Sequence, residues 1–270
     1  MNNLRKISAF IRRDFLIESS YKVAFVMQII SSLLPLFSFY FIAKLVPTDH
    51  ASPLQRYAGN YFEFVLIGIG MGNYLVTILR AFGNVVRRSQ TSGVLEVTLS
   101  TKTSPQAIIL YSAFYTLLTA LLQLLVLFLA AWALLGVSFS RADVVSAAVT
   151  MLLAMASFTA LGILSATAVV LLKRGDPIEF ITGAATAILA GAYFPIDLLP
   201  DWLRALSKLL PITYALDAMR QAIFRGLSVI ELRYSLGVLA AMSLVLLPIS
   251  LALFARAVER GRRDGSLSRY

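Results

Sequence analysis

The sequence predicts an all-α polytopic membrane protein with six transmembrane helices. Three observations carry that reading. First, 59% of the 270 residues are hydrophobic and 14% are charged, with a mean hydropathy of +0.79, whereas a soluble domain carries about 25% charged residues. Second, uncharged runs of spanning length recur: Val23 to Ala43, Gln106 to Ser140, Val144 to Leu172 and Leu236 to Ala255. A spanning helix needs about 20 such residues. Third, these runs are continuous and lack the alternation of barrel strands. Among membrane-spanning structures, helices are what remains.

Residues 1–21 precede the first run. Leu4, Ile7, Ile11 and Phe15 recur at helical spacing, opposite Arg5, Lys6, Arg12 and Arg13. The pattern predicts a helix lying on an anionic membrane surface. A cleaved leader fits poorly, because no uninterrupted apolar core follows the cations. The spans are expected at 22–45, 61–82, 105–136, 144–172, 178–196 and 232–256. A loop at 87–104 separates the second and third, and a tail occupies 257–270. The fifth span, "ITGAATAILAGAYFPI", is short and rich in small residues. Pro195, Pro200 and Pro211 follow it and predict a break near Pro195, then short outer helices at 197–226. Residues 213–226 re-enter the membrane partway in this reading.

Orientation follows from the cations. A cytoplasmic N-terminus places 16 of the 24 lysines and arginines inside, among them Arg87, Arg88, Lys102, Lys173, Arg174 and the cluster from Arg256 to Arg269. Positive charge favours that side, so both termini are expected in the cytoplasm. The net charge of +10 therefore reports membrane orientation, not affinity for nucleic acid.

Little covalent chemistry is legible. There is no cysteine, and the single histidine, His50, lies in a loop without a second metal ligand beside it. No G-x-x-x-x-G-K-[ST] stretch provides a phosphate cradle. "GIGMG" at 68–72 lies inside a span with no strand before it, so Gly68 and Gly72 predict close helix packing. Asp217 and Arg220 sit at i, i+3 and can pair on one helical face. No catalytic or metal-binding residue is expected.

Two stretches carry a family resemblance. The loop "GVLEVTLSTKTSP" contains G-x-L-E-x-x-L as Gly93, Leu95, Glu96 and Leu99, with Lys102 where many relatives have proline. The segment from Gly191 to Arg220 contains F-P, P-x-W-L and P-x-T-Y-x-x-D-x-x-R, as Phe194, Pro195, Pro200, Trp202, Leu203, Pro211, Thr213, Tyr214, Asp217 and Arg220. Both resemble the permease subunits of type-two ABC exporters. The resemblance implies a permease subunit in a bacterial inner membrane, working as a homodimer or heterodimer with two ABC ATPase subunits. ATP and Mg would be bound by those subunits, and this chain would need no cofactor of its own. It implies that residues 93–102 form a coupling helix docked on the ATPase. Phe194, Pro195, Pro200, Trp202, Pro211, Tyr214, Asp217 and Arg220 would form the outer, re-entrant gate. The loop also fits coupling on physical grounds, since Ser104 and Pro105 supply an N-cap and first turn that join it stiffly to the third span. Gln28, Phe37, Tyr40, Asn73 and Tyr74 are the expected pathway residues on the first two spans. The cargo implied is hydrophobic or amphipathic: a drug, a lipid or a lipid-linked glycan. An ion-gradient carrier and a non-transporting scaffold are the alternatives.

Overall fold

A computed structural model of the chain describes residues 12, 22–45, 60–91, 105–172 and 176–263. Among them all regular structure is helical. The first five helices are α1 (Lys22–Ala43), α2 (Tyr61–Thr91), α3 (Pro105–Leu135), α4 (Val144–Leu172) and α5 (Pro177–Ile188). A tight helical turn at Ile196–Leu198 leads to α6 (Asp201–Ser207) and α7 (Pro211–Arg220). A wider, π-type turn at Gln221–Arg225 precedes α8 (Arg233–Arg263).

Local chemistry sets the helix starts. Proline opens α3, α5 and α7, where its missing N–H costs nothing and its fixed φ suits the first turn. Asp143 caps α4 by accepting from the Ser146 amide at 2.7 Å, and Asp176 caps α5 by accepting from the Glu179 amide at 3.0 Å. Gly226, at φ +67°, ends the π-type turn. A Cβ there would lie 2.4 Å from the Arg141 carbonyl oxygen, so both its conformation and its space call for glycine.

Among the described residues, four helices are long and apolar enough to cross a membrane: α2, α3, α4 and α8. α2 is the central one. In its most apolar stretch 72% of residues are buried, against 44% for α4, 28% for α3 and 22% for α8. α4 packs along both α2 and α8, and α3 covers another side of α2. With a lipid exterior no hydrophobic force draws these helices together, so small residues and hydroxyl pairs take on that role. Ser157 and Ser243 join α4 to α8 through a 2.6 Å hydrogen bond, and Ser243 also reaches the Leu153 carbonyl at 3.1 Å.

The structure departs from the sequence reading at several boundaries. α2 continues to Thr91 and α8 to Arg263, beyond the expected ends at 82 and 256. A hydropathy boundary marks where lipid stops, and helical hydrogen bonding continues into water. α5 departs the other way. It ends at Ile188, and the chain turns at Gly191, φ +75°, four residues before Pro195. Twelve residues rise about 18 Å, short of the roughly 30 Å hydrocarbon core, so one continuous helix does not cover the expected fifth span at 178–196. α7 packs against α2, α4 and α8. The expected surface helix at 1–21 lies outside the described residues except residue 12, as do His50 and the tail beyond residue 263.

Candidate functional site

α5 and α7 both pack against α2. α5 runs antiparallel to it in a register set by three meetings. Arg80 faces Glu179, Gly72 faces Thr186, and Gly68 faces Ala192. Twelve residues of α2 thus match thirteen of the α5 segment. Gly68 and Gly72 make the approach possible. A Cβ on Gly68 would lie 1.9 Å from the Ala192 carbonyl oxygen, and one on Gly72 would lie 3.5 Å from the Thr186 methyl. The close-packing reading of "GIGMG" is borne out.

Arg220 anchors the Tyr61 end of this contact. It stands at the end of α7 and is 2% exposed. Its Nε donates to the Phe64 carbonyl at 3.0 Å, and its Nη2 donates to the carbonyls of Gly191 and Ala192 at 2.8 and 3.1 Å. The guanidinium carbon lies 3.5 Å from the centre of the Phe64 ring, a cation–π contact strengthened by burial. A planar fork can serve carbonyls on two segments at once. The Gly191 and Ala192 carbonyls need a donor, because the turn after α5 takes them out of any helical ladder. Asp217, one turn earlier, accepts from Ser235 of α8 at 2.7 Å. α7 therefore ties the first turn of α2, the turn after α5 and the start of α8 into one junction.

The Arg87 end is built differently. Arg80 Nε donates to Glu179 Oε1 at 2.7 Å, with the two side chains 63% and 29% exposed. One turn further along α2, Gly83 opens room beside α4 and the start of α5. A Cβ there would meet Asp176 at 3.0 Å and Ser165 at 3.3 Å. Ser165 donates to the Asp176 carboxylate and lies 3.3 Å from the Leu79 carbonyl oxygen. Asp176 thus caps α5 with one oxygen and holds α4 with the other.

The expected outer-gate residues divide into two groups. Pro195, Pro211 and Arg220 are buried, with Phe194, Tyr214 and Asp217 half-buried around them. The Tyr214 hydroxyl donates to the Lys208 carbonyl at 3.1 Å, tying α7 to the end of α6. Pro200 and Trp202 are exposed. α6 presents Trp202 and Leu206 outward, as the turn after it does Leu209, and Arg204 turns back to the carbonyls of Asp197 and Leu199 at 2.8 and 3.1 Å. Gly93, Leu95, Glu96, Leu99 and Lys102, the expected coupling residues, lie outside the described residues.

The expected pathway residues do not gather at one point. Phe37 is exposed. Tyr40 packs edge-on against Phe62, with ring centres 5.3 Å apart, about three helical turns from Asn73. Gln28 has no described side chain. Asn73 is exposed and Tyr74 is 2% exposed, and both line a small cavity between α2 and α3. Gln123 of α3, also on that cavity, was not read from the sequence, where a lone glutamine in a long apolar run carries no period. Arg80, Glu179 and Ser165 were missed as a group for a related reason, since their partners are 99 and 86 residues away.

Comparison with known proteins then adds the family. A sequence model of a protein family described as "ABC-2 type transporter" matches residues 5–224. No curated protein matches the chain. The family match covers most of the chain, including the α2–α5–α7 junction, and the apolar helices make the protein a multi-pass membrane protein. The chain belongs to the ABC-2 type transporter family, as a membrane permease that partners an ABC ATPase subunit.

Proposed function

We propose that this permease is the membrane half of an ATP-driven exporter that moves a hydrophobic or amphipathic molecule out of the cytoplasm or the inner leaflet. The observation that carries the reading is the family match over residues 5–224, which spans both residues 92–104 and the α2–α5–α7 junction. Two copies of the chain, identical or closely similar, work with two ATPase subunits in a bacterial inner membrane, with both termini cytoplasmic. ATP and Mg are bound by the ATPase, and this chain catalyses no hydrolysis itself. Its sequence has no phosphate-binding loop.

In this reading the chain crosses the membrane six times. α1, α2, α3, α4 and α8 provide five crossings, and the broken α5 segment provides the sixth. Residues 93–102 form the coupling helix. Glu96 accepts charge-assisted hydrogen bonds from the ATPase, with Gly93, Leu95, Leu99 and Lys102 shaping the docked surface. α2 leads directly into this segment, so a push there travels along the best-buried helix. Phe194, Pro195, Pro200, Trp202, Pro211, Tyr214, Asp217 and Arg220 form the outer gate. Lipid cannot satisfy a broken backbone, but Arg220 donates to the carbonyls freed by the turn after α5. α6 then lies at the external surface. Phe37, Tyr40, Asn73 and Tyr74, with Gln28, contribute to the pathway of the assembled dimer.

The test is reconstitution with the partner ABC ATPase subunit. ATP-dependent, vanadate-sensitive movement of a fluorescent lipid or drug in proteoliposomes is expected, with no ATP hydrolysis by the permease alone. Glu96→Lys should insert normally yet lose ATPase co-purification or uncouple hydrolysis from transport. Transport that follows an imposed ion gradient and ignores ATP would overturn the reading.

A further inference from the structure

The cavity between α2 and α3 is lined by Asn73, Tyr74 and Thr77 on one side and Gln123 on the other, with Gly70 and Ala120 providing room. Its depth is set by the helices. Tyr61 to Asn73 and Gln123 to Leu135 are each twelve residues, about 18 Å of rise. The cavity therefore lies well inside a hydrocarbon core roughly 30 Å thick. Polar side chains at that depth are costly unless they find partners. The Tyr74 hydroxyl is buried and has no hydrogen-bond partner among the described residues. Four residues with hydrogen-bonding side chains thus line the cavity beside Leu124 and Leu127, at a depth where lipid offers no partner. Not one of the four carries a charge. The cavity measures about 20 Å³, room for one water or one hydroxyl group. Because Asn73 is exposed, the cavity reaches the flank of the bundle and can be entered from the side.

We propose that Asn73, Tyr74, Thr77 and Gln123 form an intramembrane subsite for a single alcohol hydroxyl of an amphiphile. Neutral amides and hydroxyls can both donate to and accept from an O–H group. They offer no counter-ion to an ammonium or a carboxylate, whose burial here would leave a charge unpaired. Water and an alcohol share this chemistry, and water occupies the subsite when no alcohol is present. As a station for cargo the subsite rests on the transporter reading, whereas as a hydroxyl site it stands on the cavity alone.

The experiment uses the full chain in phosphatidylcholine–phosphatidylglycerol nanodiscs, without ATPase or nucleotide. A diazirine-bearing octanol is photolysed and its attachment mapped by mass spectrometry. Saturable labelling is expected within residues 70–77 or 120–127. Excess octanol should compete, whereas octyltrimethylammonium and octanoate should not. Tyr74→Phe and Gln123→Leu should each weaken the competition by about 2- to 12-fold, the equivalent of one neutral hydrogen bond. If either variant fails to fold, Asn73→Ala at the exposed mouth provides the same readout with little change in packing. Labelling spread along the lipid-facing helices, or equal competition by the charged amphiphiles, would overturn the proposal. So would the absence of saturable labelling, which means that water alone fills the cavity. None of these results depends on ATP, so failure here leaves the exporter reading standing, and failure of vanadate-sensitive transport leaves this site standing.

Discussion

The two ends of the α2–α5 contact bind the same pair of segments by opposite means. At the Tyr61 end, a buried guanidinium holds three carbonyls and stacks on Phe64. At the Arg87 end, Arg80 and Glu179 meet with much of the arginine exposed. A buried charge whose partners are removed costs several kcal/mol, whereas an exposed ion pair contributes about 0.2–1 kcal/mol. The first end acts as a fixed hub and the second as a latch that modest energy can open. The weaker end is also the one from which α2 continues toward residues 93–104. A machine driven from that end would keep its hub intact and change its latch, which is the mechanical content of the proposed coupling.

The largest effect should come from the hub. Arg220→Met strips a donor from the Gly191 and Ala192 carbonyls at about 1–3 kcal/mol each. The expected result is a loss of about 2–6 kcal/mol, seen as a marked fall in Tm in nanodiscs. Arg220→Lys should recover only part of it, because an ammonium has neither the fork nor the flat face. A Met variant as stable as wild type would erase the distinction between the two ends.

Next comes Gly68→Ala. Its Cβ meets backbone rather than a flexible side chain, so α2 and the turn after α5 must move apart, at about 1–3 kcal/mol. Gly237→Ala, with nothing within 4 Å of the added carbon, is the matched control and should be neutral or slightly stabilising. Equal denaturation midpoints for the two variants would show that the close approach at Gly68 is relaxed without cost.

The latch should respond less in stability and more in function. Glu179→Gln or Arg80→Gln should lower stability by no more than about 1 kcal/mol. Either should change ATP-driven transport by the reconstituted complex, and the charge swap Arg80→Glu with Glu179→Arg should restore it. Unchanged transport in both single variants would reduce the pair to a surface contact.

The smallest effect lies before α8. Ser228 donates its amide and hydroxyl to Glu231 Oε2 at 2.8 and 2.7 Å. These bonds hold the Glu231 carboxyl below its ordinary 4.5. A carboxyl with a lowered folded pKa adds stability above the unfolded value, and that contribution fades as pH falls below 4.5 through the folded pKa. Ser228→Ala should raise the Glu231 pKa in an NMR titration and flatten this acid dependence. An unshifted titration would mean that the hydroxyl contributes nothing.

Much of the architecture was legible from composition and run length. Val144 to Leu172 is at once an uncharged run and the extent of α4, because Asp143 caps the helix where the run begins. The glycine pair at 68 and 72 was legible as a packing face because small-xxx-small spacing has one physical use in a membrane. The break at Gly191 was placed too late, at Pro195, since proline announces itself in sequence while a left-handed glycine is visible only from its backbone. Arg220 was legible as a residue of interest but not as a donor to Phe64, Gly191 and Ala192, whose carbonyls have no signature in sequence.

The sequence by itself determined that this chain is helical, membrane-embedded and short of charge. Those properties follow from counts and periods, which are local. Tertiary structure alone decided which helix became the centre, where the fifth apolar segment broke, and which two arginines closed the ends of one contact. The reason is distance along the chain. Phe64 and Arg220 are 156 residues apart and Arg80 and Glu179 are 99 apart, and no local pattern encodes a partner that folding alone brings within 3 Å.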